Sequence, residues 1–137
     1  MGDPVRILVA DDEQNLCRIL VARLTRDGYL AEAVHDGVQA LDRIRRNSFD
    51  LLFLDLRMPA LPGLDLLRRV REEHHPVVIV VMTAYDTPET VHAVLASGAD
   101  AYITKPFDLD AVAESIPEWL SQRRTASRAA LPDTGEE

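Results

Sequence analysis

The chain alternates between short apolar runs and longer segments in which apolar residues recur at helical spacing. The runs are rich in valine, isoleucine and leucine and show no apolar–polar alternation, which is typical of strands buried on both faces of a parallel sheet. The predicted strands are residues 5–10, 30–34, 51–54, 77–81 and 101–104.

Each predicted strand is followed by a segment that predicts an amphipathic helix, because its apolar side chains lie three or four residues apart. Asp36 is a capping residue before the second helix, and Pro88 fits the first position of the fourth. Gly28 and Gly98 follow the ends of the first and fourth helices. The predicted apolar faces are Leu16, Ile19, Leu20 and Leu24; Val38, Leu41 and Ile44; Leu64, Leu67 and Val70; and Leu109, Val112, Ile116 and Leu120.

Five strands that alternate with five helices predict an α/β fold with helices on both faces of a parallel sheet. Right-handed crossovers restrict the topology to a doubly wound sheet. We predict a flavodoxin-like (βα)5 fold with strand order 2-1-3-4-5, whose switch point lies between the first and third strands.

Composition supports one globular domain and disfavours some classes of binding partner. The chain has 137 residues, of which 47% are hydrophobic and 28% charged, as in ordinary globular domains. The net charge of −8 disfavours direct binding to nucleic acid or to an anionic membrane. The only cysteine, Cys17, excludes an intrachain disulfide, and we interpret it as structural. Because no signal peptide or spanning segment is evident, the predicted location is cytoplasmic.

Polar residues follow four of the five predicted strands. Asp11 and Asp12 follow the first strand, Asp55 the third, Thr83 the fourth and Lys105 the fifth. In a doubly wound sheet these strand ends share one edge, where ligands bind. Three neighbouring carboxylates repel one another unless a cation shares them, and an all-oxygen site suits Mg²⁺. The lysine and the threonine hydroxyl suit phosphoryl oxygens, so Asp55 is a candidate nucleophile for a phosphoryl group.

Taken singly, these residues have ordinary structural explanations. An Asp-Asp pair before a helix is a common N-cap, a lone lysine is usually a solvated charge, and a threonine suits a strand end. The site is therefore predicted from the whole set at one edge of the sheet.

Four short motifs, in this order, give the chain a specific resemblance to the receiver domains of two-component response regulators. They are Asp11-Asp12-Glu13, Leu54-Asp55-Leu56-Arg57-Met58-Pro59, Met82-Thr83-Ala84 and Lys105-Pro106-Phe107. The resemblance covers residues 1–124 and is greatest to receivers of nitrogen-regulatory, enhancer-binding regulators. It implies a cytoplasmic signalling phosphoprotein that forms an aspartyl phosphate and catalyses only its own phosphotransfer and autodephosphorylation.

The resemblance also implies a role for each motif residue. Asp55 would accept phosphate from a histidine kinase phosphohistidine or a phosphotransfer protein of a phosphorelay. Asp12, Asp55 and the backbone carbonyl of Arg57 would hold Mg²⁺, with Asp11 assisting through water. Thr83 and Lys105, at the ends of the last two strands, would bind the phosphoryl oxygens.

Switching and tuning residues are implied as well. Tyr102 would be the aromatic switch on a surface formed by the fourth helix, fifth strand and fifth helix, which would control an output domain or protein and could form a homodimer. Arg57 and Tyr85 would lie beside the phosphoryl group and slow its loss, and the small Ala84 would leave access open to a phosphodonor. The Lys105-Pro106 peptide is expected to be cis.

Two other classes of function remain open at this stage. An aspartyl-nucleophile phosphatase of the haloacid dehalogenase type would need an aspartate two residues after the nucleophile, where this chain has Arg57. A phosphorylation-independent interaction module would usually lack part of the acidic pair, the threonine or the lysine, all of which are present.

The last predicted helix contains Pro117, which removes a helical hydrogen bond. A kink is favoured because Ile116 and Leu120 continue the apolar face, although Ser115 and Glu118 have the capping-box spacing that would restart a helix. Residues 125–137 are expected to be a disordered tail or the stub of a linker.

Overall fold

The computed structural model describes residues 3–133, with side chains through residue 121, and strands alternate with helices along this part of the chain. Each predicted strand and helix is present, which confirms the α/β class. The elements are β1 (Arg6–Ala10), α1 (Gln14–Arg26), β2 (Leu30–Val34), α2 (Gly37–Arg46), β3 (Leu51–Asp55), α3 (Gly63–Glu72), β4 (Val78–Thr83), α4 (Pro88–Ala96), β5 (Ala101–Thr104) and α5 (Leu109–Asp133).

The strands form one parallel sheet in the predicted order β2-β1-β3-β4-β5. Asp55, the last residue of β3, is in register with Met82, and Thr83 is in register with Thr104. The carboxyl ends of β1, β3, β4 and β5 therefore meet at one edge, which is where the sequence places its polar residues.

The central strand β3 is buried along its whole length and divides its side chains between two hydrophobic cores. Leu52 and Leu54 belong to the core that the sheet forms with α2 and α3, which also contains Val94 of α4. Leu51 and Phe53 belong to the core on the opposite face, with α1 and α5. This division follows from the two-residue period of a strand and explains the uninterrupted apolar run.

Two residues of the predicted helical faces are exposed to solvent. Ile19 is 54% exposed and Val38 is 57% exposed, so this part of the prediction is wrong. In α1 the buried positions are Cys17, Leu20 and Leu24, which places Ile19 outside the buried stripe. Cys17, which was not part of the predicted face, takes a core position in α1, because free cysteine packs as a small hydrophobe.

Two helices begin at glycines that lie against the backbone of the β3–α3 loop. A Cβ added to Gly37 would lie 2.0 Å from the carbonyl oxygen of Leu61. A Cβ added to Gly63 would lie 2.5 Å from the carbonyl oxygen of Asp55 and 2.6 Å from Cα of Leu56. The loop after Asp55 is thus held between the first turns of α2 and α3, in a space that only glycine allows.

The Arg71 side chain joins the end of α3 to β4 and to the turn after α4. Its guanidinium donates to the carbonyl oxygens of Gly98, His75 and Val77 at 2.8–2.9 Å and lies 2.9 Å from the Asp100 carboxylate. Bidentate and multiple hydrogen bonds of this kind suit the planar donor array of arginine. They fasten the C-terminal end of α4 to the body of the domain.

Helix α5 runs without interruption through Pro117, from Leu109 to Asp133. The alternative in which a helix restarts at Ser115 is wrong, since the Ser115 hydroxyl donates to the carbonyl oxygen of Ala111 at 2.8 Å and caps no new helix. The helical backbone includes the first part of the segment 125–137, and residues 134–137 lie outside the described residues. The assignment of 125–137 as a tail or linker stub stays a prediction. No described helix combines the length and apolarity needed to span a bilayer.

Candidate functional site

Three carboxylates converge at the carboxyl edge of the sheet. Asp11 follows β1 and is fully buried, Asp12 is exposed beside it, and Asp55 ends β3 with 6% exposure. One carboxylate oxygen from each residue lies within 4.8 Å of the others. Such an arrangement of oxygen donors is unfavourable without a cation and fits the hard, oxygen-preferring Mg²⁺.

Backbone amides orient the two buried carboxylates. The amide of Glu13 donates to Asp11 Oδ1 at 2.8 Å, and the amide of Arg57 donates to Asp55 Oδ1 at 3.3 Å. Both bonds span two residues, as in Asx turns, so they follow directly from the local sequence. They leave the second oxygen of each carboxylate directed toward the pocket.

Lys105 fills the pocket with a positive charge. Its Nζ lies 2.7 Å from Asp11 Oδ2 and 3.6 Å from Asp55 Oδ2. Burial acts to lower the pKa of Lys105, but the hydrogen bond to Asp11 and the charge of Asp55 outweigh it and raise the pKa above its ordinary value. The lysine therefore stays protonated and bridges the two carboxylates.

Asp55 is held in an environment that disfavours its charge when no metal is bound. Burial and the neighbouring charge of Asp11 raise the pKa of Asp55 to about 6, although the Arg57 amide and Lys105 act in the opposite direction. A bound divalent cation would favour the carboxylate form of Asp55. The electrostatics of the pocket thus match a site completed by a metal ion.

Thr83 reaches the predicted edge at the end of β4, but its hydroxyl is engaged elsewhere. The hydroxyl accepts a hydrogen bond from the Tyr85 amide at 2.9 Å and donates to the Tyr85 carbonyl oxygen at 3.1 Å. The side chain is buried, with 3% exposure. The structure therefore brings the four predicted charged residues together, whereas the Thr83 hydroxyl binds its own loop.

Arg57 and Tyr85 contact each other across the rim of the pocket. The Arg57 guanidinium donates to the Tyr85 hydroxyl at 2.9 Å and lies 4.6 Å from the centre of the Tyr85 ring. The family resemblance implies that both lie beside the phosphoryl group, but the sequence holds no signal for this mutual contact. The pair joins the loop after β3 to the loop after β4.

Three further predicted features lie in or near β5 and the residues that follow it. Tyr102, on the edge strand β5, is 39% exposed and directs its side chain to the surface. Ala84 lines an apolar cleft of about 380 Å³ together with Leu16, Lys105 and Phe107. The Lys105-Pro106 peptide beside it is cis, as the sequence resemblance implied.

Two side chains that were not predicted to be part of the site, Cys17 and His35, lie against the backbone of Asp11. Cys17 Sγ donates to the Asp11 carbonyl oxygen at 3.2 Å, and His35 Nδ1 lies 3.1 Å from the same oxygen. Burial, followed by the charge of Asp11, raises the pKa of Cys17 to about 11, which keeps the thiol protonated. The sequence has no signal for this contact because His35 comes from the end of β2, a different strand.

Comparison with known proteins places this pocket in a family. The response regulator receiver domain model matches residues 7–117. Response regulator MprA of Mycobacterium sp. (strain KMS) is 40% identical over 132 residues, which cover 96% of this chain and 54% of MprA. The curated relatives ZraR, ArlR and MprA are covered to only 28–54% of their lengths.

Solved structures of response regulators superpose closely on this chain. A CheY-like receiver domain from Methanospirillum hungatei JF-1 superposes with a TM-score of 0.85 at 27% identity, over 90% of this chain and 99% of that one. NtrX from Brucella abortus superposes with a TM-score of 0.84 at 25% identity, over 93% of this chain and 30% of that one. The second likeness agrees with the predicted similarity to enhancer-binding regulators. The chain belongs to the receiver domain family of two-component response regulators, which are signalling domains.

Proposed function

We propose that Asp55 accepts a phosphoryl group from the phosphohistidine of a histidine kinase or a phosphotransfer protein, in a Mg²⁺-dependent reaction. The observation that carries this proposal is the position of the Asp55 carboxylate, which lies within 4.8 Å of the other two carboxylates and 3.6 Å from the Lys105 ammonium. The phosphorylated domain then controls an output domain or protein.

The two oxygens of Asp55 have different surroundings. Oδ1 accepts the Arg57 amide, whereas Oδ2 faces Lys105 and is the oxygen available for attack. Attack forms a bond between this oxygen and phosphorus, breaks the phosphorus–nitrogen bond of the phosphohistidine and leaves the donor imidazole to take up a proton. Lys105 then binds a phosphoryl oxygen, where its charge stabilises the transferring group.

The acidic residues fit a resident Mg²⁺. Asp12, Asp55 and the backbone carbonyl of Arg57 would hold the ion directly, and Asp11 would assist through water. The ion would neutralise charge on the phosphoryl oxygens and offset repulsion among the carboxylates. Asp11 has a second task, because it positions the Lys105 ammonium through a 2.7 Å contact.

The proposal is tested by phosphorylation of the full chain with acetyl phosphate and Mg²⁺, followed by intact-mass measurement. We expect the mass gain of one phosphoryl group, lost in Asp55→Asn and lost when EDTA removes the metal. Asparagine keeps the shape of the side chain but cannot act as the carboxylate nucleophile. No gain in the unaltered chain would support the phosphorylation-independent interaction module, and turnover of a phosphate monoester would support the phosphatase.

The switch proposed for this domain begins at Thr83. To bind a phosphoryl oxygen, its hydroxyl must give up its bond to the Tyr85 carbonyl oxygen, which draws on the loop that leads into α4. The partly exposed Tyr102 would then turn inward and alter the surface formed by α4, β5 and α5. Phosphorylation would thereby shift an existing equilibrium between two forms of the surface that contacts the output or a second copy.

The Arg57–Tyr85 contact leads to a prediction about the lifetime of the phosphorylated state. Because the pair covers the rim of the pocket, it restricts the water that hydrolyses the aspartyl phosphate, while Ala84 leaves the donor side open. We expect Arg57→Ala combined with Tyr85→Ala to speed dephosphorylation by about tenfold, or about 1.4 kcal/mol in the barrier. Decay is followed by intact mass after acetyl phosphate is removed. Arg68→Ala, an exposed arginine on α3, is the control, and an unchanged decay rate in the double variant would contradict the prediction.

A further inference from the structure

Charge is distributed unevenly along this domain. The stretch from Tyr85 to Ser121 contains seven carboxylates, whereas Lys105 is its only lysine or arginine. Lys105 lies in the phosphoacceptor pocket and contributes no cation to the outer surface. The seven are Asp86, Glu89, Asp100, Asp108, Asp110, Glu114 and Glu118.

Two of these carboxylates are paired with arginines of other elements. Asp100 is paired with Arg71, and Asp110 with Arg23. The other five form no ion pair within 4.0 Å among the residues whose side chains the structure describes. The rest of the described domain differs in containing many arginines, of which Arg6, Arg43, Arg45 and Arg46 are each paired with a carboxylate.

The same region exposes apolar side chains. Helix α4 contains Val91, Val94 and Leu95, yet only Val94 is buried in it, whereas α2 and α3 each bury four residues. Leu95 is 45% exposed, and Tyr102 on the adjacent edge strand is 39% exposed. An apolar helix that is poorly buried in its own domain indicates a surface that a partner covers.

We call this surface the acidic face and define it as α4, β5 and the exposed side of α5 up to Ser121. Its exposed apolar side chains include Leu95 and Tyr102, and its carboxylates include Glu89, Glu114 and Glu118, all on exposed residues. A symmetric dimer would place this patch against its own copy. Like charges would then be opposed, with no cation of the described face to pair with them, which is costly at an interface.

We propose that the acidic face docks a partner segment in which apolar side chains are flanked by lysine or arginine, and does not dock a second copy of the chain. The apolar side chains cover Leu95 and Tyr102, and the basic ones pair with the carboxylates of α4 and α5. This inference rests on the proposed function for the role of the surface in output. It adds the chemistry of the partner that the surface binds. Charge complementarity also speeds association and makes it sensitive to salt.

The test uses the full chain and two synthetic peptides of the same helical pattern, one built from leucine and lysine and the other from leucine and glutamate. We expect the lysine peptide to bind, with amide shifts in NMR spectra confined to α4, β5 and α5 and with weaker binding at higher salt. The double variant Glu114→Lys with Glu118→Lys is expected to lose about tenfold in affinity. The matched control is Asp65→Lys with Glu72→Lys, two exposed residues of α3 that carry the same change in net charge.

Three outcomes would overturn the proposal: shifts spread over other surfaces, equal loss of affinity in both double variants, or a dimer in sedimentation experiments that Leu95→Glu dissociates. Circular dichroism verifies that each variant is folded. Intact mass after acetyl phosphate is measured on the same samples, so a domain that binds the lysine peptide without accepting phosphate would contradict the proposed function and leave the docking surface intact.

Discussion

A Lys105→Met variant is expected to lose phosphoryl transfer by about 10²–10³-fold while it binds Mg²⁺ more tightly. The two effects have opposite signs because the ammonium acts in two ways. In the proposed reaction it stabilises charge on the phosphoryl group, and it would also compete with a metal ion for Asp11 and Asp55, which lie 2.7 and 3.6 Å from its Nζ. Transfer is measured by intact mass at short times with acetyl phosphate, and Mg²⁺ affinity by titration calorimetry.

The Lys105→Arg variant is the control for charge, and its Mg²⁺ affinity should stay close to that of the unaltered domain. Without metal, the methionine variant leaves two buried carboxylates without their cation, so its unfolding free energy should rise more steeply with Mg²⁺ than that of the unaltered domain. Weaker Mg²⁺ binding in Lys105→Met would contradict this account, because it would show that the lysine organises the metal ligands and does not compete for them.

The second large effect is expected from Gly37→Ala. The added Cβ would lie 2.0 Å from the carbonyl oxygen of Leu61, so backbone must move to admit it. We expect a loss of about 1–3 kcal/mol in the free energy of unfolding, measured by urea denaturation. The same displacement would move the loop that follows Asp55 and would therefore slow the phosphorylation of Asp55.

The neighbouring residue supplies a matched control for this substitution. Val38 is 57% exposed, so Val38→Ala should change stability by no more than about 0.5 kcal/mol. Equal stability of the two variants would show that the first turn of α2 can retreat from the β3–α3 loop, contrary to the close contact described here.

The main features of the fold could be predicted because buried parallel strands and helical faces leave strong periodic signals. The positions of Asp55 and Lys105 followed from this pattern, since each directly ends a strand or follows one. Exposure within helices was less predictable. Val38 and Ile19 fit a local apolar spacing, but the packing of α1 and α2 against the sheet selects which side of that stripe is buried.

Contacts between loops could not be predicted at all. The resemblance implies that the Thr83 hydroxyl binds a phosphoryl oxygen, yet in the structure this hydroxyl forms its hydrogen bonds within its own loop, with the backbone of Tyr85. The stacking of Arg57 on Tyr85 joins residues 28 positions apart in the chain, at a distance that only the folded loops determine. Pro117 shows a related limit, because its effect on α5 depends on the packing of the helix as well as on the lost hydrogen bond.

The burial of β3 on both faces affects which parts of the domain can move when the site changes. Leu52 and Leu54 anchor the strand to one layer of helices, and Leu51 and Phe53 anchor it to the other. Because both layers hold the strand, we expect Asp55 to keep its position when one layer rearranges. We therefore expect a conformational change to appear at the edge of the sheet, where β5 has a neighbouring strand on one side only, and in α4, whose C-terminal end is held by Arg71.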